Sequence, residues 1–203
     1  MNKTMLFLGT LVVITTCVSC RSISNKERNS ILDADENTPF DILQTTNPTD
    51  SLFLRRKAKN IKRVNRIAHH ATWQHFFKRL RKTLDQAEGV GLAAPQVSIG
   101  RNVFLFMRID KPGRPVEIAI NPRIVSHSDE TVCFERDGCL SIPDRSGNSR
   151  RYEWVEVEYY TEKGEKIREK LSGTSRQTDF TGVIFQHEYD HLQGILFVDK
   201  LCD

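Results

Sequence analysis

The chain has 203 residues, of which 38% are hydrophobic and 28% charged. That length suits one compact domain with room for a real apolar core, in a protein of ordinary soluble composition. The net charge of +4 is mild, and the basic residues are interspersed with acids outside one segment, so nothing argues for a specific nucleic-acid partner.

The N-terminus departs from that picture. MNKTMLFLGTLVVITTCVSC places Lys3 before an apolar run from Met5 to about Val18, followed by small residues and Cys20. Such a run is short for a bilayer span, so residues 1–20 read as an export leader. Its end, with Ser19 before Cys20, resembles a bacterial lipobox, although Cys17 is unusual three positions ahead of the acceptor. The expectation is an exported protein anchored to the membrane through a lipidated Cys20. A buried N-terminal helix or strand, in a protein that stays cytoplasmic, is the alternative.

Residues 21–39 are polar and nearly free of aromatics, the composition of a tether leading into a folded domain over 40–203. The five cysteines are Cys17, Cys20, Cys133, Cys139 and Cys202. With the leader removed or lipidated three remain, which suggests no disulfide framework and leaves a ligand, a nucleophile or plain packing. From Arg55 to Arg81 the chain is rich in Lys and Arg. Within it Trp73, Phe76, Phe77, Leu80 and Leu84 fall on one face of a helix. The charged opposite face reads as solvated surface, with an anionic partner or membrane surface as the alternative.

Beyond EGVGLAAPQ the pattern turns to strands: NVFLFM (102–107), EIAIN (117–121), WVEVEYY (154–160) and, after a TEKGE turn, KIREKL (166–171). From about Asp179 to Gln193 the period is helical again, with Gly194 as a natural stop. The closing ILFVDKL is short and apolar and should pack on the core. The fold class predicted is α+β, with mostly antiparallel sheets packed around a C-terminal helix.

That helix carries QHEYDH, residues 186–191. Residues i and i+4 share a helix face, so His187 and His191 present two imidazoles to one metal ion. Glu188, about 100° around the axis, reaches a bound water without being a ligand. Two histidines leave a third protein ligand to be found. Downstream there are only Asp199, Cys202 and Asp203, on a segment that reads as core. Upstream, DGCLSIP (137–143) offers Cys139, a soft thiolate suited to zinc or ferrous iron. Cys, His and His leave a coordination position open, as catalysis requires.

Three separated motifs, GVGLAAPQ (89–96), GCLS (138–141) and QHEYDHLQG (186–194), resemble those of peptide deformylases in order and spacing. The resemblance runs from about Ile42 to Leu201 and implies a deformylase-like catalytic domain. It implies Cys139, His187 and His191 as metal ligands and Glu188 as the catalytic carboxylate. The Gln96 side chain and the Leu140 N–H would hold the formyl oxygen, and Gly91 would line the substrate backbone. It further implies one divalent metal ion, Fe2+ first and Zn2+ or another divalent ion as substitutes. The substrate would be an N-formylmethionyl peptide, hydrolysed to formate and a free amine by a monomer. The residue types suit that chemistry: a metal-acidified water, a carboxylate base, and donors placed for a developing oxyanion.

Three features depart from the family pattern. Asp137 stands where Glu usually precedes Gly-Cys, so a bracing hydrogen bond is expected to lengthen or be lost. Ser146, with Arg145 just before it, stands where many members have Arg near the side-chain pocket. The leader would carry the protein to an oxidising compartment, where Cys139 is exposed to oxidation or to pairing with Cys133. Cys133 otherwise reads as packing, and His69, His70, His75 and His127 as surface residues. Two alternatives remain open: a metallopeptidase using the same helix, and a membrane-tethered, weakly active or inactive binding protein.

Overall fold

The run Val103–Met107 has no polar residue, and a strand of that kind needs cover on both faces. The computed structural model, which describes residues 23–202, supplies it. The segment read as a leader, with Cys17 and Cys20, lies outside the described residues, as does Asp203. Five antiparallel strands form one sheet in the order β1 (Gly91–Ala93), β2 (Val103–Met107), β3 (Val116–His127), β6 (Trp154–Tyr160), β7 (Lys166–Ser172). Side chains alternate across it. Val103 and Leu105 join Trp73, Phe76, Leu80 and Leu84 of α3 (Ala71–Gln86). Phe104 and Phe106 join Phe185 of α4 (Thr181–Gln193), with ring centroids 4.9 and 5.3 Å from it. The sheet is thus sandwiched between the two long helices, and a short helix, α2 (Pro48–Leu54), precedes them in the chain.

The two helices bury themselves differently. α3 is amphipathic with the aromatic face the sequence predicts. α4 is buried on nearly every side, including Gln186, His187, Glu188, Asp190 and His191. Its first turn is fixed by the Asp179 carboxylate, which accepts from the Thr181 N–H at 2.9 Å. It stops at Gly194, which adopts φ 75°, and a Cβ there would strike the Arg55 carbonyl oxygen.

The predicted strands at 102–107, 117–121, 154–160 and 166–171 all form, and Thr161–Gly164 makes the turn between the last two. A second, two-stranded sheet had no sequence signal: β4 (Thr131–Cys139) pairs with β5 (Ile142–Tyr152). It lies against the C-terminal segment, where Leu196, Phe197 and Leu201 pack on Ile142 and Cys139. Arg150 N–H donates to Lys200 O and Cys202 N–H to Asn148 O.

Two expectations are corrected. The segment read as a tether is docked over its described part. Residues Asn25–Leu32 form α1, opened by a Ser24–Glu27 capping box, with Ile31 fully buried against the α3 core. Arg79 of α3 anchors it by donating to Ile31 O at 2.9 Å, Thr38 O at 2.9 Å and Asp33 Oδ1 at 2.6 Å. Polar composition concealed this because only two isoleucines, Ile23 and Ile31, enter the core, and the rest of the hold is polar, through Arg79 and the Glu27–Arg101 ion pair at 2.6 Å. Second, Cys133 is neither free nor simply packed: it forms a disulfide with Cys202, with Cα atoms 6.1 Å apart. The remaining described thiol is Cys139. Cys133 is therefore committed elsewhere rather than available to pair with it.

Candidate metal centre

The helix α4 and the hairpin strand β4 meet at three side chains. Cys139, His187 and His191 each offer one ligand atom, all within 4.8 Å of one another, and among the described residues this is the single cluster of its kind. Cys139 Sγ is 3.2 Å from His191 Nε2. Soft sulfur and two imidazole nitrogens converging this closely fit one divalent ion of the zinc or ferrous type. The downstream alternatives are occupied otherwise: Asp199 pairs with Arg55, and Cys202 is in the disulfide. Burial disfavours the Cys139 thiolate, yet His191 and His187 beside it hold the thiol down to about 5, so the ligand form prevails at neutral pH.

Behind His187 lies a buried ionic ladder. Its Nδ1–H donates to Asp137 Oδ1 at 3.0 Å, which leaves Nε2 for an ion. Asp137 Oδ2 accepts from Arg151 Nη2 at 2.7 Å and from Ser149 Oγ at 2.5 Å. Arg151 Nη1 continues to Asp190 Oδ2 at 2.6 Å, and Lys200 Nζ closes on Asp190 Oδ1 at 2.8 Å. Burial would raise Asp137, but His187 and Arg151 hold it well below the usual carboxylate range. Burial works against protonated His187 too, and Asp137 more than reverses it. The expected weakening at Asp137 is thus overturned: the shorter carboxylate keeps its contact with His187.

Glu188 faces the same cleft. It is 4% exposed, and its Oε2 has no hydrogen-bond partner. A buried carboxylate oxygen left so is suited to a water or substrate proton. Burial raises its pKa to about 7, against the pull of His187 and His191. Gly91 makes room for it: a Cβ on Gly91 would lie 2.7 Å from Glu188 Cδ and 2.8 Å from Cγ. Gln96 is oriented from both ends, its Oε1 accepting from Ala93 N–H at 2.8 Å and its Nε2 donating to Ser141 Oγ at 3.2 Å. The same Nε2 lies 3.6 Å from Cys139 Sγ. Leu140 lies on the cleft wall, and the cleft measures about 610 Å³. Its apolar side is Phe134, Phe180, Val183 and Ile184, and Arg136, Arg145 and Arg176 stand among its charged lining residues.

A family model described as polypeptide deformylase matches residues 39–203. The chain belongs to the polypeptide deformylase family. "Peptide deformylase 2" of Nostoc sp. is 38% identical over 166 residues, covering 79% of this chain and 84% of that protein. The crystal structure of peptide deformylase from Thermotoga maritima matches with a TM-score of 0.68 at 30% identity, covering 81% of this chain and 99% of that one. A class I type b peptide deformylase from Acinetobacter baumannii, solved with Met-Ala-Ser bound, matches with the same TM-score and identity and the same coverage.

Deformylases are metal-dependent hydrolases, and the chain brings together every site residue the sequence pointed to: Cys139, His187 and His191 as a cluster, with Glu188, Gln96, Leu140 and Gly91 lining the same cleft. His69, His70, His75 and His127 take no part in the cluster. Sequence reading missed the ladder of Ser149, Arg151 and Asp190, and the hold of Ser141 on Gln96. Asp190 was visible inside QHEYDH, but its buried partner Arg151 sits in a run of polar residues that looks like exposed hairpin.

Proposed function

We propose that this chain removes the formyl group from N-formylmethionyl peptides, releasing formate and a free N-terminal amine. The carrying observation is the Cys139–His187–His191 cluster with the unpartnered Glu188 carboxylate in one cleft. The peptide held by the Acinetobacter relative supports a methionyl peptide as the occupant. The cleft's apolar side, from Phe134, Phe180, Val183 and Ile184, suits a methionine side chain.

Cys139, His187 and His191 would hold one divalent ion, which when bound supplies Lewis acidity toward the formyl carbonyl and acidifies the attacking water. Ferrous iron is the proposed native ion, with zinc or another divalent metal as the substitute. Glu188, poised near neutrality, accepts the water proton as the oxygen joins the formyl carbon. Gln96 Nε2–H and the Leu140 N–H donate to the carbonyl oxygen as it gains charge. The C–N bond then breaks, Glu188 delivers its proton to the departing amine, and formate leaves. One chain supplies every one of these groups, so a monomer suffices.

The test is formate release from a formyl-Met peptide by anaerobically purified, iron-loaded protein beside Glu188→Ala. Release by the wild type and a loss on the order of 1,000-fold or more in the variant are expected. No release from wild type with one ion bound per chain would sink the reading. Cys139→Ser separates a metallopeptidase with its third ligand elsewhere, which would retain its ion, from the site proposed, which would lose it.

The proposal extends to location: an exported enzyme held at the membrane through lipidated Cys20. What supports it is the leader sequence together with the Cys133–Cys202 disulfide, a bond typical of oxidising compartments. Fractionation with a labelled fatty acid tests it. Label in the membrane fraction that Cys20→Ala abolishes is expected, and unlabelled cytoplasmic protein overturns it.

A further inference from the structure

We propose that Ser149 is a positioning residue of the metal centre, acting on His187 through Asp137. Ser149 is fully buried on β5, beside Asp137 of β4, where the strand pairing is irregular between Phe134 and Asp137. Its Oγ–H donates to Asp137 Oδ2 at 2.5 Å, and the same Oγ accepts from Arg151 Nε–H at 3.0 Å. Arg151 is 1% exposed and presents Nε and Nη2 as two parallel donors. A carboxylate that reached far enough would take both. Asp137 takes only Nη2, because its other oxygen is engaged by His187 Nδ1 at 3.0 Å. The serine hydroxyl fills the second place on the fork and passes a hydrogen bond on to the carboxylate.

That arrangement fixes the rotation of the Asp137 carboxylate about its Cβ–Cγ bond. With Ser149 in place, Oδ2 is held from two directions and Oδ1 points at His187. Without the hydroxyl, Arg151 Nε–H is left buried and unpaired, and the carboxylate turns to meet it. Oδ1 then leaves His187, whose ring loses the partner that sets its tautomer and tilt. Ser149 touches neither ion nor substrate, so its effect travels through one carboxylate to one ligand.

The inference rests on reading Cys139, His187 and His191 as ligands, and the test separates the two. Full-length wild type, Ser149→Ala, Ser149→Thr and the double variant Asp137→Glu/Ser149→Ala are loaded with Co2+. Affinity is measured by chelator competition, the ligand field by visible absorption, and folding by melting temperature. Ser149→Ala should bind Co2+ about 10-fold or more weakly, with altered visible bands. Ser149→Thr, which keeps the hydroxyl, should stay within about threefold of wild type. In the double variant the extra methylene lets one carboxylate oxygen accept from Arg151 Nε while keeping His187 Nδ1 and the other stay on Nη2, and affinity should recover to a similar level. Should Ser149→Ala fail to fold, the double variant and Ser149→Thr decide alone. Wild-type affinity and bands in Ser149→Ala, with only its melting temperature lowered, overturn the proposal, as does a folded double variant that stays weak. Wild type that binds no Co2+ overturns the ligand assignment instead.

Discussion

Glu188 carries a constraint from its own backbone neighbour. Because a Cβ at Gly91 meets the Glu188 side chain, Gly91→Ala should push the carboxylate away from the cleft without touching a ligand. A loss in kcat on the order of 100-fold with unchanged metal content is expected, measured by formate release and metal analysis on the same sample. Wild-type kcat would show that Glu188 yields without cost. The same carboxylate leaves a mark on stability. Its pKa is raised by burial from an ordinary value of 4.5 to about 7, so the folded state prefers it protonated. Unfolded chains release that proton first. Stability of the metal-free protein is therefore greatest below about pH 4.5 as far as this group is concerned, and falls as pH rises toward 7. Glu188→Gln should remove that decline, gaining on the order of 2–3 kcal/mol over wild type near pH 8 in metal-free denaturant titrations. Equal pH slopes for the two proteins would refute it.

At the scale of elements, legibility followed burial pattern. α3 shows a one-sided aromatic stripe, and a helix covered on one face writes its period into the sequence. β2 and β6 were readable for the opposite reasons, β2 as a continuous apolar run covered twice and β6 as a clean alternation. The hairpin of β4 and β5 was not, since its inward positions include Asp137, Ser149 and Arg151, polar residues that satisfy one another. Cys139, the histidines and Glu188 could be found from chemistry, whereas the ladder behind them depends on side chains that only the hairpin register brings together. α1 was hidden likewise, because much of its attachment is polar, through Arg79 and the Glu27–Arg101 pair. Truncating the Arg79 side chain, Arg79→Ala, leaves Asp33 and the carbonyl oxygens of Ser30, Ile31, Thr38 and Pro39 without their donor. It should cost about 1–3 kcal/mol and raise hydrogen exchange across residues 24–38 before the rest of the chain. Unchanged exchange there would mean that Ile23, Ile31 and the Glu27–Arg101 pair hold the segment without Arg79.

Across the whole molecule, the disulfide joins β4 to the segment after α4, closing a loop with a sequence separation of 69. Chain entropy alone sets its contribution at about 4 kcal/mol at most, so Cys202→Ser should lower stability by roughly 2–4 kcal/mol in non-reducing buffer. Reducing agent should abolish the difference between variant and wild type; a difference that survives reduction would assign it to packing. The proposed ligands are spread in the same manner: Cys139 precedes His191 by 52 residues and reaches it only when hairpin and helix have docked. A chain emerging in sequence order therefore offers an ion one thiol, and much later two imidazoles, but never the three together until the tertiary fold has closed. On the proposed ligand set, metal choice would then fall to a finished cage rather than to synthesis, and would reflect whichever ion is present where folding ends. For a protein that completes its fold after crossing a membrane, the supply of metal on the far side, and not that of the cytoplasm, would write the identity of the ion.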